Sequence, residues 1–398
     1  MIYIVGINSF IAKNLYYKLK KNINDIILLS HNELEYLNEN IKSTDTIINC
    51  CGVNKGDSET IFREGNFEFV KNIFSYINKS QPYFIHLSSL MVKGFKNQNF
   101  EDLPVFQKWF ITSKLDGEKF LIDNYDNDKL CIIRPSNVFG YSCKPNYNNL
   151  LVTLVHEKIY NINKNKNINK NCFRNMISVE LLNNKIIELI KNRTSGIINI
   201  MSINTLSLYD IIMKLYDNVI PVHIKITEDE PSIPNKDINN NNEFNEYLEE
   251  DFQKVIKTLE DNMKIYDELQ NNVLIKKCNC LSQQRGDMVE ITDLKSERLY
   301  KITLNQNSVR GNHFHYEQIE DFYINNGKVM FLFAFDTYSE NEVIYMILSN
   351  KNELITIKPN IIHTLCNDFL NNIPDIFVSS TQKFIKNEIP DTKYINII

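Results

Sequence analysis

Short apolar runs alternate with helical spacing through the first third of the chain. MIYIV (Met1 to Val5) is an apolar strand that Gly6 ends. Phe10, Ile11, Leu15 and Leu19 then recur at a helical period within Ser9 to Lys20. IILLS (Ile26 to Ser30), DTIINCCG (Asp45 to Gly52), YFIHLSS (Tyr83 to Ser89) and LCIIRPSN (Leu130 to Asn137) read as further strands, with helical patterns over Glu64 to Asn78 and Thr112 to Asn124. Strands alternating with helices predict a doubly wound parallel sheet with helices on both faces.

The pattern changes twice more. LSLYDIIMKLYD (Leu206 to Asp217) predicts a helix, and PSIPNKDINNNNEF (Pro231 to Phe244) has the prolines and polar run of a linker or insert. From Glu246 to Leu269, Tyr247, Leu248, Phe252, Val255, Leu259 and Met263 keep a helical period, which predicts a long helix with one apolar face. From Lys276 onward LYKITL, KVMFLFAF, EVIYMILS and ELITIK alternate or run apolar between turns. That predicts an all-β sandwich or barrel. The expected organisation is a domain over 1–230, an insert and helix over 231–275 and a β domain over 276–398.

Composition narrows the function classes. The chain has 398 residues with 43% hydrophobic residues, enough for two cores. A net charge of −5 with mixed signs argues against nucleic acid as a partner. No apolar run approaches the ~20 residues of a membrane span. Eight cysteines form no C-x-x-C pair and suggest no disulfide framework, so reduced thiols and a cytoplasmic location are expected.

Two places carry candidate chemistry. The turn at Gly6 lies where a doubly wound fold cradles a dinucleotide pyrophosphate, against a helix N-terminus. Its loop, GINSFIA, keeps the first of three expected glycines, with Ser9 and Ala12 at the other two positions. Taken alone it also fits an ordinary strand-to-helix turn. After the second strand, Ser30-His31-Asn32 contains no acid for a ribose 2′-hydroxyl, which points to NADP rather than NAD. The second place is GNHFHYEQIEDFYINNG (Gly311 to Gly327). His313 and His315 are two apart and share one face of a strand. Glu320 follows, and His363 lies further on between Pro359 and Asn367. Three histidines and a carboxylate suit a divalent transition metal, zinc being the expected one. A structural ion or an empty barrel stays open.

The order of segments in the first half resembles the extended short-chain dehydrogenase/reductase family. VGINSFIAKNL matches its opening, CCGVN (Cys50 to Asn54) its adenosine-side loop, HLSSLMVKG (His86 to Gly94) its catalytic-serine strand and RPSNVFG (Arg134 to Gly140) its segment beside cofactor and sugar nucleotide. The resemblance implies cofactor contacts from Gly6, Ser9, Phe10, Ile11, His31, Gly52, Lys114 and Pro135, substrate contact from Asn137, and catalytic roles for Ser89 and Lys114. The chain departs from that family at the tyrosine of Tyr-x-x-x-Lys, because FITSK places Phe110 there. The spacings H-x-H-x4-E-x6-G and P-x3-H-x3-N resemble the two cupin motifs, the second one residue short.

The whole chain resembles the bifunctional CapF/WbjC-type enzymes of capsular polysaccharide and O-antigen sugar biosynthesis. CCGVNK, NVFGYSCKPNYN, RGDMVEIT, VRGNHFHYEQIEDFY and PDTKYINI carry that likeness. It implies a Rossmann-like α/β domain followed by a jelly-roll cupin, and a homodimer. The implied substrate is a UDP-linked 4-keto-6-deoxy-N-acetylhexosamine. The implied chemistry is C3 epimerisation in the cupin, with His313, His315, Glu320 and His363 as metal ligands, and NADPH-dependent C4 reduction in the first domain. No residue is singled out as the epimerase base. With Phe110 in place of the acid, three readings stand: an epimerase with a lapsed reductase, a reductase with another acid, and a non-catalytic sugar-nucleotide binding or scaffold protein.

Overall fold

The structure is a computed structural model and describes residues 1–94, 100–147, 149–228, 243–283, 286–291, 296–338, 342–381 and 391–398. The expected linker lies outside these residues over 231–242, as do Asn148, Arg285, Thr292 and Pro390 of the segments quoted above. The chain forms two compact units, Met1–Lys18 with Leu29–Asp261, and Leu19–Leu28 with Asn262–Ile398. Among the described residues no helix is long and apolar enough to cross a membrane.

The N-terminal half is an α/β fold built on a seven-stranded sheet. Its spatial order is Glu243–Leu248, Gly196–Ser202, Leu130–Pro135, Tyr83–Leu87, Thr46–Asn49, Ile2–Val5, Ile26–Leu29. The ladder of Ile2–Val5 with Thr46–Asn49 is parallel, as are those that follow it through Tyr83–Leu87, Leu130–Pro135 and Gly196–Ser202. The first strand has the second on one side and the third on the other. The chain therefore changes direction there, and such a switch opens a crevice beyond the carboxyl ends of the strands. These strands read as unbroken apolar runs because the sheet is buried: Ile4, Ile48, Phe84, Ile85 and Ile133 have no exposed surface.

One expectation is corrected. The stretch predicted as a helix from Glu246 begins as a strand, Glu243–Leu248, and the helix runs Phe252–Asn272. The strand lies parallel to Gly196–Ser202 and meets its otherwise open edge. Asn199 Nδ2 donates to Asn245 Oδ1 at 2.9 Å, and Lys185 Nζ lies 3.1 Å from Glu246. Those sheet contacts override the helical spacing of Tyr247 and Leu248. The helix carrying Lys114 also starts earlier than expected, spanning Val105–Asn124.

That helix is fixed to the sheet by a buried ion pair. Arg134 Nε lies 2.9 and 3.1 Å from the two carboxylate oxygens of Glu118, and Nη2 lies 2.5 Å from Oε2. Both side chains are buried. A buried pair adds little net stability, but removing one partner strands the other charge.

The C-terminal half contains two five-stranded sheets with antiparallel ladders. One has the order Val273–Lys277, Glu353–Ile357, Glu320–Asn326, Asp375–Ser380, Arg298–Thr303. The other has Tyr345–Asn350, Lys328–Phe335, Ile361–Asn367, Ser308–His315, Thr392–Tyr394. Phe322 of the first packs edge-on against Phe331 of the second, with ring centroids 5.6 Å apart. The α/β-then-all-β order expected from the sequence is the order found.

Replacing Glu118 with Ala is expected to cost about 3–5 kcal/mol by leaving the guanidinium buried and unpaired. The double variant Glu118→Leu/Arg134→Met is expected to recover most of the loss. Urea denaturation of the wild-type chain and both variants measures this. Equal losses in both variants would contradict it.

Candidate metal centre and cofactor cleft

His313 and His315 lie on the strand Ser308–His315, and His363 on its antiparallel neighbour Ile361–Asn367. Glu320 opens the strand Glu320–Asn326 of the other sheet. A register shift between Gly311 and His313 puts His313 opposite His363. Gly311 is required there: its φ is +111°, and a Cβ would collide with the His363 carbonyl oxygen. One ligand-type atom from each of His313, His315, Glu320 and His363 falls within 4.8 Å of all the others.

These atoms have no conventional partners. His313 Nδ1, His315 Nε2, Glu320 Oε2 and His363 Nε2 are buried without a hydrogen bond. The Nε2 atoms of His315 and His363 lie 3.3 and 3.1 Å from Glu320 Oε2, close but without hydrogen-bond alignment. The outward sides are satisfied. His363 Nδ1 lies 3.1 Å from the Ile361 carbonyl oxygen, and His315 Nδ1 lies 3.2 Å from the Asp391 carbonyl oxygen. A carbonyl only accepts, so each Nδ1 carries a proton, and in the neutral form of either ring the Nε2 lone pair faces inward. The Tyr300 hydroxyl donates to Glu320 Oε1 at 3.1 Å, which leaves Oε2 to the imidazoles.

The charge states suit a cation. Burial pushes the Glu320 carboxyl up, but His315 and His363 outweigh it and hold it well below the usual carboxylate range. Burial, then the neighbouring His363, lowers His313 to about 4. An anionic carboxylate and a neutral imidazole are the forms that ligate a metal. Three imidazole nitrogens and one carboxylate, converging and unsatisfied, fit a divalent transition metal.

In the N-terminal half, a cleft of about 750 Å³ opens at the carboxyl ends of the strands. Gly6, Ser9, Phe10, Ile11, His31, Gly52, Ser89, Phe110, Lys114, Pro135 and Asn137 all line it. Gly6 has a φ of +89°, and a Cβ on it would lie 2.6 Å from Cys51 Sγ and 2.9 Å from Cys51 N. The two loops at the switch point touch, and glycine lets them. Ser9 is a helix cap: its hydroxyl accepts from Ala12 N at 3.1 Å. Glu33, the nearest acid after the second strand, accepts from Ser30 N at 2.9 Å and Ser30 Oγ at 2.7 Å.

Phe110 and Lys114 lie one helical turn apart. The Phe110 ring packs edge-on against Phe62, with centroids 6.4 Å apart. Lys114 is buried, and its Nζ donates to the Leu87 carbonyl at 3.1 Å. Burial lowers Lys114 to about 8; Glu118, then Cys51 and Cys50, oppose that shift. Ser89 caps the following turn, accepting from Met91 N at 3.2 Å.

Sequence reading missed several residues of this cleft. Ser88 and Ser136 have buried hydroxyls without partners, and both line it, as do Lys144, Tyr147, Arg174 and Asn175. Asn66 ties down the loop next to the lining residues Gly52 and Asn54: Oδ1 accepts from Val53 N at 2.8 Å, and Nδ2 donates to Val53 O at 3.0 Å and Ser113 Oγ at 3.1 Å. Asn137 Nδ2 donates to the Asn175 carbonyl at 3.1 Å, a contact between segments distant in sequence.

The chain thus carries a cleft at the strand ends of its doubly wound sheet and a cluster of three histidines and a glutamate in its β half. Residues 2–174 match the NAD dependent epimerase/dehydratase family, and residues 281–393 match the polysaccharide biosynthesis C-terminal domain. Both halves of the resemblance read from the sequence have a counterpart in these matches. Among solved structures, the capsular polysaccharide assembling protein CapF from Staphylococcus aureus is similar over 99% of both chains, with 20% identity and a TM-score of 0.45. The dTDP-4-dehydrorhamnose reductase of Bacillus anthracis, in complex with NADP, is similar over 57% of this chain and 83% of that one, with 18% identity and a TM-score of 0.46. A UDP-N-acetylglucosamine 4-epimerase from Bacillus cereus is similar over 59% of this chain and 86% of that one, with 14% identity and a TM-score of 0.47. No curated protein sequence matches the chain.

The lowered value of Lys114 gives a pH test. A lysine whose folded value lies below the ordinary ~10.4 holds more protons when unfolded between the two values. Stability of the wild-type chain relative to Lys114→Met is therefore lowest below pH 8 and rises from there towards pH 10.4. Urea midpoints of both proteins across that range check it. A difference independent of pH would show that the ammonium carries no burial penalty.

Proposed function

We propose that the chain is a nucleotide-sugar enzyme acting on a UDP-4-keto-6-deoxy-N-acetylhexosamine. It epimerises carbon 3 in the C-terminal domain, read as a cupin, and its N-terminal domain takes NADP(H) and the sugar nucleotide for C4 reduction. The four converging atoms of His313, His315, Glu320 and His363 carry this reading. These residues hold a divalent ion, with zinc the expected one. When bound, such an ion supplies electrophilic polarisation of a carbonyl.

The ketone at carbon 4 acidifies the proton on carbon 3, so this substrate class can lose and regain that proton through an enolate. The chain's part is to orient the ketone. Tyr300 and the carbonyl oxygens of Ile361 and Asp391 fix the ligand side chains from outside. The low pKa of His313 keeps its lone pair available at neutral pH.

In the N-terminal cleft, Gly6 and the helix capped by Ser9 receive the cofactor phosphates. Lys114 and Ser89 lie on the reacting side, and Asn137 meets the sugar nucleotide. The missing phenol at Phe110 removes a proton donor, a loss of ~10²–10⁴-fold for general acids. Reduction here is therefore slow or absent.

Two measurements test the proposal. Proton magnetic resonance of the 4-keto sugar nucleotide in heavy water is expected to show loss of the carbon 3 signal with the wild-type chain and none with His363→Ala. Phe110→Tyr is expected to raise NADPH oxidation by about 10²-fold or more. No exchange with the wild-type chain contradicts the epimerase reading. An unchanged rate in Phe110→Tyr contradicts the role given to position 110.

A further inference from the structure

The last residues of the chain enclose the ligand run. Thr392–Tyr394 pairs antiparallel with it, His313 opposite Tyr394 and His315 opposite Thr392. Thr392 Oγ1 lies 2.9 Å from His315 Nδ1, closer than the Asp391 carbonyl oxygen at 3.2 Å. The Asp391 carboxylate accepts from Tyr316 N at 3.0 Å, from Glu317 N at 3.1 and 3.2 Å, and from Gln318 N at 3.0 Å. Those three amides form the turn between His315 and Glu320. On the other side of the run, Asn312 Oδ1 accepts from Ile397 N at 3.2 Å, and Asn312 O accepts from Ile395 N at 2.8 Å. The Tyr394 ring lies 5.4 Å from that of His313.

These contacts have a direction. His315 presents Nε2 inward only while Nδ1 carries the proton and has an acceptor. Thr392 and the Asp391 carbonyl supply acceptors at that atom. Glu320 reaches the imidazoles only if the turn at 316–318 holds its path, and one carboxylate takes all three amide hydrogens of that turn. Residues 391–398 thus touch the run before His313, at His315 and after it.

We propose that the C-terminal segment 391–398 is the outer shell of the metal centre, with Thr392 and Asp391 as positioning residues for His315 and for the turn that delivers Glu320. This rests on the metal reading above. Outer-shell partners of metal-ligating histidines are worth about 10–100-fold in metal affinity. Thr392→Val keeps the β-branched shape and removes the hydroxyl; Thr392→Ser keeps the hydroxyl.

The test uses the full chain and cobalt(II). Affinity is measured by competition with a chelator, the visible spectrum is recorded, and thermal unfolding is followed without metal. Thr392→Val is expected to bind cobalt about tenfold more weakly and with a shifted visible band, while Thr392→Ser stays near the wild-type values. Its metal-free unfolding temperature is expected to match the wild type. Asp391→Ala is expected to weaken binding at least as much. Wild-type affinity and spectrum in Thr392→Val would overturn the inference alone. Equal weakening in Val and Ser variants, with a lowered metal-free unfolding temperature in both, would reduce Thr392 to a structural role and also overturn it. A wild-type chain that takes up no cobalt would overturn the metal reading itself.

Discussion

The C-terminal domain is organised around an unmet electrostatic need. Burying polar atoms without partners is costly, and proteins rarely leave several at one point. Here His313, His315, Glu320 and His363 each have a buried polar atom without a conventional partner, and one ligand-type atom of each lies within 4.8 Å of the others. Surrounding residues spend their hydrogen bonds on the outward sides of these groups. Tyr300 takes one carboxylate oxygen of Glu320, and main-chain carbonyls take the Nδ1 atoms of His315 and His363. Gly311 accepts a positive φ so that two ligand strands can approach. On the reading proposed above, a divalent cation meets that need.

The N-terminal domain shows a different economy. Its cleft is formed where loops leave a buried parallel sheet, and close approach of those loops sets its shape. Gly6 packs against Cys51, and Asn66 holds Val53 in the same loop. The Arg134–Glu118 pair holds the helix that carries Phe110 and Lys114. Binding geometry and catalytic equipment are separable in such a site. On the proposed reading, Gly6, the cap at Ser9 and Lys114 serve binding, while Phe110 brings no hydroxyl to the position where the resembled family has its tyrosine.

Much of this was legible in the sequence because the relevant signals are local. Unbroken apolar runs marked the buried strands. The two-residue spacing of His313 and His315 put both on one strand face. What was not legible depends on contacts between distant segments. Glu246–Leu248 reads as helix by spacing, and Glu243 and Phe244 as the end of a linker; both join a strand because Gly196–Ser202 offers an edge. Asn66 belongs to no motif read from the sequence, and Asp391 and Thr392 lie in PDTKYINI without a visible role there; the contacts of all three are hydrogen bonds across the fold. Ser88 and Ser136 line the cleft with buried hydroxyls that lack a partner, which no sequence pattern encodes.

The most direct test of the central claim is crystallographic. Diffraction from crystals grown with zinc, recorded on either side of the zinc absorption edge, locates the ion without assumptions about chemistry. A single strong anomalous peak is expected in the C-terminal domain, about 2.0–2.2 Å from one ring nitrogen each of His313, His315 and His363 and from a carboxylate oxygen of Glu320. A map without a peak there, with the four side chains hydrogen-bonded to one another or to water, would contradict it.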